Sequence, residues 1–176
     1  SVDNIQGIQS ALVKGATNIV FVSSDDVVFL SDVIRILYNT AGISAKNKNY
    51  NIIMATLDKG DAYDHNSISN SQLSALKFTY PAANRYAGET NAFISKYFKT
   101  YKISPSKYAF RGFDLTMDAV LRTSLSGNFL KEANIGETSY QENKFQYIKN
   151  PSKGGGYENR AVYILRYEDL QISEIY

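Results

Sequence analysis

Apolar residues along this chain alternate between helical spacing and short unbroken runs, and that alternation defines the predicted elements. Ile5, Ile8 and Leu12 form one stripe behind a capping box of Asp3 and Gln6, and Gly15 is placed to stop the helix. Asn18–Ser24 is a β-branched and aromatic run of the kind that suits a strand covered on both faces, as in parallel sheets. Asp25-Asp26 then opens a helix carrying Val27, Leu30, Ile34, Leu37 and Ala41 on one face, with Gly42 at its exit. After the polar linker Ser44–Asn49, Tyr50–Leu57 reads as a second buried strand, which completes a βαβ unit.

Asp58–Ser74 is polar and loop-like, with a short helix expected near Ser69–Leu76. Lys77–Tyr80 reads as a short strand ended by Pro81. A helical pattern from Gly88 places Ile94, Tyr97, Phe98 and Tyr101 together. Ser104 and Pro105 look like an N-cap with proline at the first helical position. The helix that follows carries Phe110, Phe113, Met117, Val120, Leu121 and Leu125 toward Gly127, and Gly112 is a point where it could break. Phe145–Ile148, the turn-rich Asn150–Gly156, Ala161–Tyr167 and Leu170–Ile175 then read as strands and turns. The predicted fold class is α/β: a three-layer, mainly parallel, doubly wound sheet over residues 1–176, with an antiparallel extension over 140–176.

Composition narrows the possibilities. With 44% hydrophobic and 20% charged residues in a 176-residue chain, the protein has the usage of an ordinary globular domain. No apolar run approaches the roughly 18 residues of a membrane span. Lys and Arg number 19 against 17 Asp and Glu and are scattered singly, so the electrostatic footprint of a nucleic-acid binder is missing. Cysteine is absent, which removes thiol catalysis and thiolate metal sites. The chain starts at Ser1 without a leader, which reads as a mature product or a piece of something longer.

Several residues invite chemistry and then yield to simpler readings. His65 is the single histidine and sits in a polar loop, with no second imidazole to share a metal. Asp58, Asp61 and Asp64 fall three apart, unlike the alternate spacing of a calcium loop. Gly154–Gly156 leads to Tyr157-Glu158-Asn159 and another strand, where a phosphate loop would need a Lys-Ser/Thr and a helix. The helical aromatics are more simply core than a stacking surface. No metal, cofactor or catalytic residues are expected.

The ends of the two best strands say more. In doubly wound sheets, ligands bind beyond the carboxyl ends of the strands. Ser23, Ser24 and Asp25 follow the first strand, and Asp58 and Asp61 follow the second. Hydroxyls beside carboxylates suit an ammonium or another polar group; the simpler reading is that these residues cap the next helix.

This order of elements, with Phe78-Thr79-Tyr80-Pro81, the run Phe93–Pro105, and Tyr108–Asp114 followed by Ala119-Val120-Leu121, resembles the second lobe and C-terminal portion of type I periplasmic binding proteins, the branched-chain amino-acid receptor family. Phe113 and Leu115 stand where the family's Gly-Tyr-Asp-Ala has Tyr and Ala. The resemblance implies a non-catalytic, extracytoplasmic domain of a receptor or transport-associated protein. It also implies that Ser23, Ser24, Asp25, Asp58 and Asp61 contact a small polar solute such as an amino acid, and that a first lobe lies elsewhere in a longer protein. Some envelope relatives join such a region to a peptidoglycan-binding LysM module, so a structural module without solute is the alternative. A flavodoxin-like enzyme or signalling domain is the third reading.

Overall fold

The computed structural model describes residues 7–8, 10–42, 50–86, 88 and 91–176. The expected capping box of Asp3 and Gln6 and the linker Ser44–Asn49 lie outside the described residues. Gly7, Ile8, Ser10 and Ala11 are helical.

The protein is mixed α/β, and its five-stranded sheet has both parallel and antiparallel neighbours. The chain divides into two compact units: residues up to Ala82 with Ile164–Tyr176, and Ala83–Tyr163. In the first unit, β1 (Thr17–Phe21) runs parallel to β2 (Asn51–Ala55), with Thr17 opposite Asn51 and Phe21 opposite Ala55. β3 (Thr79–Ala82) continues the parallel set. Short elements follow in chain order: β4 (Thr138–Ser139) pairs with β5 (Lys144–Phe145), and β6 (Tyr147–Lys149) with β7 (Tyr157–Asn159). β8 (Tyr163–Glu168) and β9 (Gln171–Glu174) form an antiparallel hairpin and complete the main sheet in the order β1-β2-β3-β8-β9.

Helix α1 (Val27–Thr40) follows the periodicity closely. Asp26 caps it by accepting from the backbone of Val28 and Phe29, and Leu30, Ile34, Leu37 and Ala41 are all buried. Gly42 has φ 66° just past its end, the left-handed conformation that glycine adopts without a Cβ penalty. Helix α2 (Asn70–Ala75) is capped by Ser69 and lies against α1, as does the 3-10 turn Asp61–Asp64. Tyr63 stacks on Phe78 at 4.8 Å, and Phe78 meets Tyr167 at 5.8 Å, so an aromatic core joins the 3-10 turn to the sheet.

Two strand expectations are corrected. β1 is not covered on both faces: Ile19 and Phe21 are 59% and 64% exposed. Among the described strands it pairs with β2 and ends the sheet order, and Ile19 and Phe21 leave one face of an apolar strand open. Pro81 does not end β3 but lies inside it. The ladder to β2 closes at Ala55 and Thr79, with Thr56 donating to the Thr79 carbonyl, so a proline two residues later interrupts no bond to β2.

The second unit holds α3 (Ala92–Tyr101), α4 (Lys107–Ser126), α5 (Phe129–Glu132) and the two small hairpins. Helix α4 starts at a Ser106 cap, two residues beyond the expected Ser104, and runs through Gly112 without a break. Its buried face is Phe110, Asp114, Asp118 and Arg122, while Leu121 and Leu125 are exposed. The stripe expected from periodicity therefore shares only Phe110 with the buried one. The reason is a polar network. Arg122 meets Asp118 at 2.9 Å and donates to the carbonyls of Glu132 and Ala133 and to Thr138. Asp118 also accepts from Thr138 and Tyr140, and the Arg122 guanidinium lies 5.0 Å from the Tyr147 ring centre. The hairpin loop Asn150–Gly156 joins β6 to β7, as its glycines implied.

Candidate functional site

Parallel pairing puts the carboxyl ends of β1 and β2 on one edge of the sheet. Val22 donates its N–H to the Ala55 carbonyl at 2.8 Å, which holds the two exits side by side. The hydroxyl of buried Tyr63 donates to the Val22 carbonyl at 2.9 Å, tying the second loop beneath the first. At the surface, an added Cβ on Gly60 would lie 2.6 Å from Oδ1 of Asp25. The loops that carry Ser23, Ser24 and Asp25 and that carry Asp58 and Asp61 thus meet.

The individual residues divide into two kinds. Ser24 Oγ accepts from the Asp26 N–H at 3.1 Å, a local turn that leads into the Asp26 cap. Ser23, Asp25, Asp58 and Asp61 are exposed. Asp58 is oriented through its backbone: its carbonyl accepts from, and its N–H donates to, the hydroxyl of buried Thr56. Asp64 pairs with Lys59 at 2.6 Å, and the Lys59 ammonium lies 5.5 Å from the Tyr80 ring centre. With that pair internally neutralised, Asp25, Asp58 and Asp61 leave the edge acidic, which suits a cationic or hydrogen-bond-donating group.

Burial raises the phenol pKa of Tyr63, a trend that its hydrogen bond with Thr56 opposes and the nearby Asp25 charge reinforces. Burial also pushes Tyr80 up to about 12, with Tyr167 and Asp64 adding to the shift. Both phenols therefore stay neutral at ordinary pH, and Tyr63 is the one that donates to the Val22 carbonyl. His65 is exposed, and its Nδ1 accepts from the Ser67 N–H. Among the described residues no three His, Cys, Asp or Glu side chains converge in a metal-binding arrangement, and no helix is long and apolar enough to cross a membrane.

Sequence reasoning did not single out Thr56 and Tyr63, which hold the two loops in place. The pattern Thr-x-Asp at 56–58 carried a signal, because a hydroxyl two residues before a loop aspartate commonly turns back on the backbone. Tyr63 carried none: its partner Val22 lies 41 residues away. No family model matches the chain, and no curated protein or solved structure matches it.

Proposed function

We propose that this chain is a receptor-like, non-catalytic domain that presents one wall of a binding site for a small polar solute. In this reading the fold is a doubly wound lobe of the type I periplasmic-binding-protein kind, acting outside the cytoplasm and closing with a first lobe carried elsewhere in a longer protein. The observation that carries it is the meeting of Asp25 and Gly60 at the carboxyl edge of parallel strands, where sheets of this class hold ligands. Asp25, Asp58 and Asp61 would receive an ammonium, and Ser23 and Ser24 would supply hydroxyls.

A single wall buries little of a solute, and tight binding depends on enclosure. A few exposed hydrogen bonds contribute about 1 kcal/mol each against an association cost of at least about 4 kcal/mol. The dissociation constant of the chain for free amino acids is therefore expected to be no better than roughly millimolar. An NMR titration with an amino-acid panel tests the reading: saturable shifts are expected at the amides of Ser24, Asp25 and Gly60. An unresponsive edge at saturating solute would remove it.

A second reading, an envelope interaction module that has lost its solute, draws on the apolar groove of about 360 Å³ lined by Ile19, Phe21, Ile53, Leu57, Pro81 and Ile164. Such a surface suits a protein partner better than a polar solute.

A further inference from the structure

Helix α3, in the second unit, carries no buried residue. It leans on α4 through Phe93, whose ring centre lies 5.0 Å from that of Phe110 and 4.5 Å from that of Phe113. Its outer side is not the polar surface that such a helix ordinarily shows to water. Ile94, Phe98 and Tyr101 fall on one stripe, and Lys99 and Lys102 border it. Phe98, Tyr101 and Ile103 are 53%, 61% and 61% exposed. Lys102, with φ 60°, closes the helix by donating its N–H to the Phe98 carbonyl at 2.8 Å. Ile103 follows it into the turn that precedes the Ser106 cap of α4.

Charge gathers at the same corner. From Asn91 to Phe113 the chain holds Lys96, Lys99, Lys102, Lys107 and Arg111 and no acidic residue, although Lys and Arg number only 19 against 17 Asp and Glu overall. The remainder of the chain is therefore net negative. These cations are never adjacent in sequence, and helical spacing brings them to one end of a helix pair. All five are exposed, and none forms an ion pair with another described residue. A lysine in the last turn of α3 complements the helix dipole. That does not account for three large apolar side chains left in water among the cations.

We propose that this corner docks reversibly on an anionic lipid surface, with Phe98, Tyr101 and Ile103 entering the interfacial layer and the lysines meeting the headgroups. Lysine is depleted at protein–protein interfaces, whereas helices that lie on membranes combine lysines with apolar and aromatic side chains. The long lysine stems lie along apolar surface while their ammonium groups stay among the phosphates. Tyrosine suits the same depth. The proposal draws nothing from the Asp25–Gly60 edge, and either can fail without the other.

The test is sedimentation of the full chain with vesicles of phosphatidylcholine alone and with vesicles containing phosphatidylglycerol in equal part. Binding is expected to the mixed vesicles and not to the neutral ones, and to weaken as salt screens the charges. Lys99→Ala combined with Lys102→Ala should lower it about thirtyfold, because each cation near such a surface contributes roughly fivefold. Phe98→Ser and Ile103→Ser should each lower it several-fold with the charge unchanged. These side chains are exposed, so the variants leave the fold intact. No binding to the mixed vesicles, equal binding to both kinds, or indifference to the lysine pair would each overturn the proposal. Binding that the lysine pair weakens but neither Phe98→Ser nor Ile103→Ser changes would show attraction to any polyanion, and would overturn the lipid assignment.

Discussion

Gly60 leaves just enough room for Asp25: a Cβ added at position 60 would approach the Asp25 carboxylate oxygen to 2.6 Å. The atom in the way is the far end of an exposed side chain, and Gly60 has φ −74°, which any residue can adopt. Gly60→Ala should therefore change stability by no more than about 1 kcal/mol, because restricting the unfolded chain offsets the cost of moving the Asp25 side chain. The Asp25 carboxylate must swing away, so the amide shifts of Ser24 and Asp25 on titration with amino acids should diminish. Urea unfolding and the NMR titration read the two effects separately. A large loss of stability would mean that the loops are locked together more tightly than this contact implies.

Two Arg–Asp pairs in this chain should differ sharply in worth. Arg35 and Asp32 meet at 2.8 Å on an exposed helix face, whereas Arg122 and Asp118 meet at 2.9 Å with both side chains buried. Removing one partner of a buried pair strands the other charge, and Arg122→Ala is expected to cost about 3–5 kcal/mol. Arg35→Ala should stay within about 0.5 kcal/mol. Urea midpoints of the two variants would check this. Equal effects would contradict the central role of Arg122 in its unit.

How much of this was legible from sequence differs by element. Helix α1 was readable because its cap, its apolar stripe and its exit glycine are all local. β1 was read as doubly covered because Ile19, Val20 and Phe21 have the composition of a buried strand, and composition does not reveal a position at the end of the sheet. Helix α4 misled for a different reason. Periodicity scores Asp114, Asp118 and Arg122 as solvent-facing, yet their partners at Thr138–Asn143 arrive some 16 to 29 residues later and make a polar face the buried one. The meeting of the two site loops followed from parallel pairing alone, whereas the Tyr63–Val22 bond depends on a contact across 41 residues that no local pattern encodes.

Asp114 gives a local test of that polar face. It satisfies three consecutive backbone donors, and Asp114→Ala would leave them without their acceptor. Each buried orphan costs about 1–3 kcal/mol. Hydrogen exchange at Gln141, Glu142 and Asn143 should accelerate well before exchange in β2. Uniform acceleration across the chain would show that Asp114 supports the whole structure rather than this loop.

High pH should loosen the fold through two phenols. Burial is the leading cause that raises Tyr80 and Tyr147 from an ordinary value of 10.0 to about 12. The folded state holds these protons more tightly than the unfolded one, so their contribution is complete below pH 10 and is lost as pH rises through about 12. Absorbance titration of the 14 tyrosines should show a late-ionising group, with unfolding midpoints falling over the same window. Tyr80→Phe should flatten part of that fall. Stability independent of pH in this range would contradict the assignment.

The β8–β9 hairpin offers a stabilising change. Glu168 pairs with Gln171, so Asp169 and Leu170 are the whole turn, and both have positive φ, 49° and 61°. Two successive left-handed residues define the mirror-image turn that matches the twist of a hairpin, and Asp-Gly is among its preferred sequences. Leucine at the second position is strained, because a Cβ in the left-handed region crowds the following carbonyl at a cost of about 1–2 kcal/mol. Its side chain is 68% exposed, so little burial compensates. Its N–H donates to Ser74 Oγ at 3.0 Å, a bond that survives any substitution except proline. Leu170→Gly removes the strain and gives back part of the gain as extra freedom in the unfolded chain, about 0.4–1 kcal/mol. The net expectation is a stabilisation of roughly 0.5–1 kcal/mol, read as a higher urea midpoint with an unchanged slope. A lower midpoint would show that Leu170 makes a contact worth more than the strain it carries.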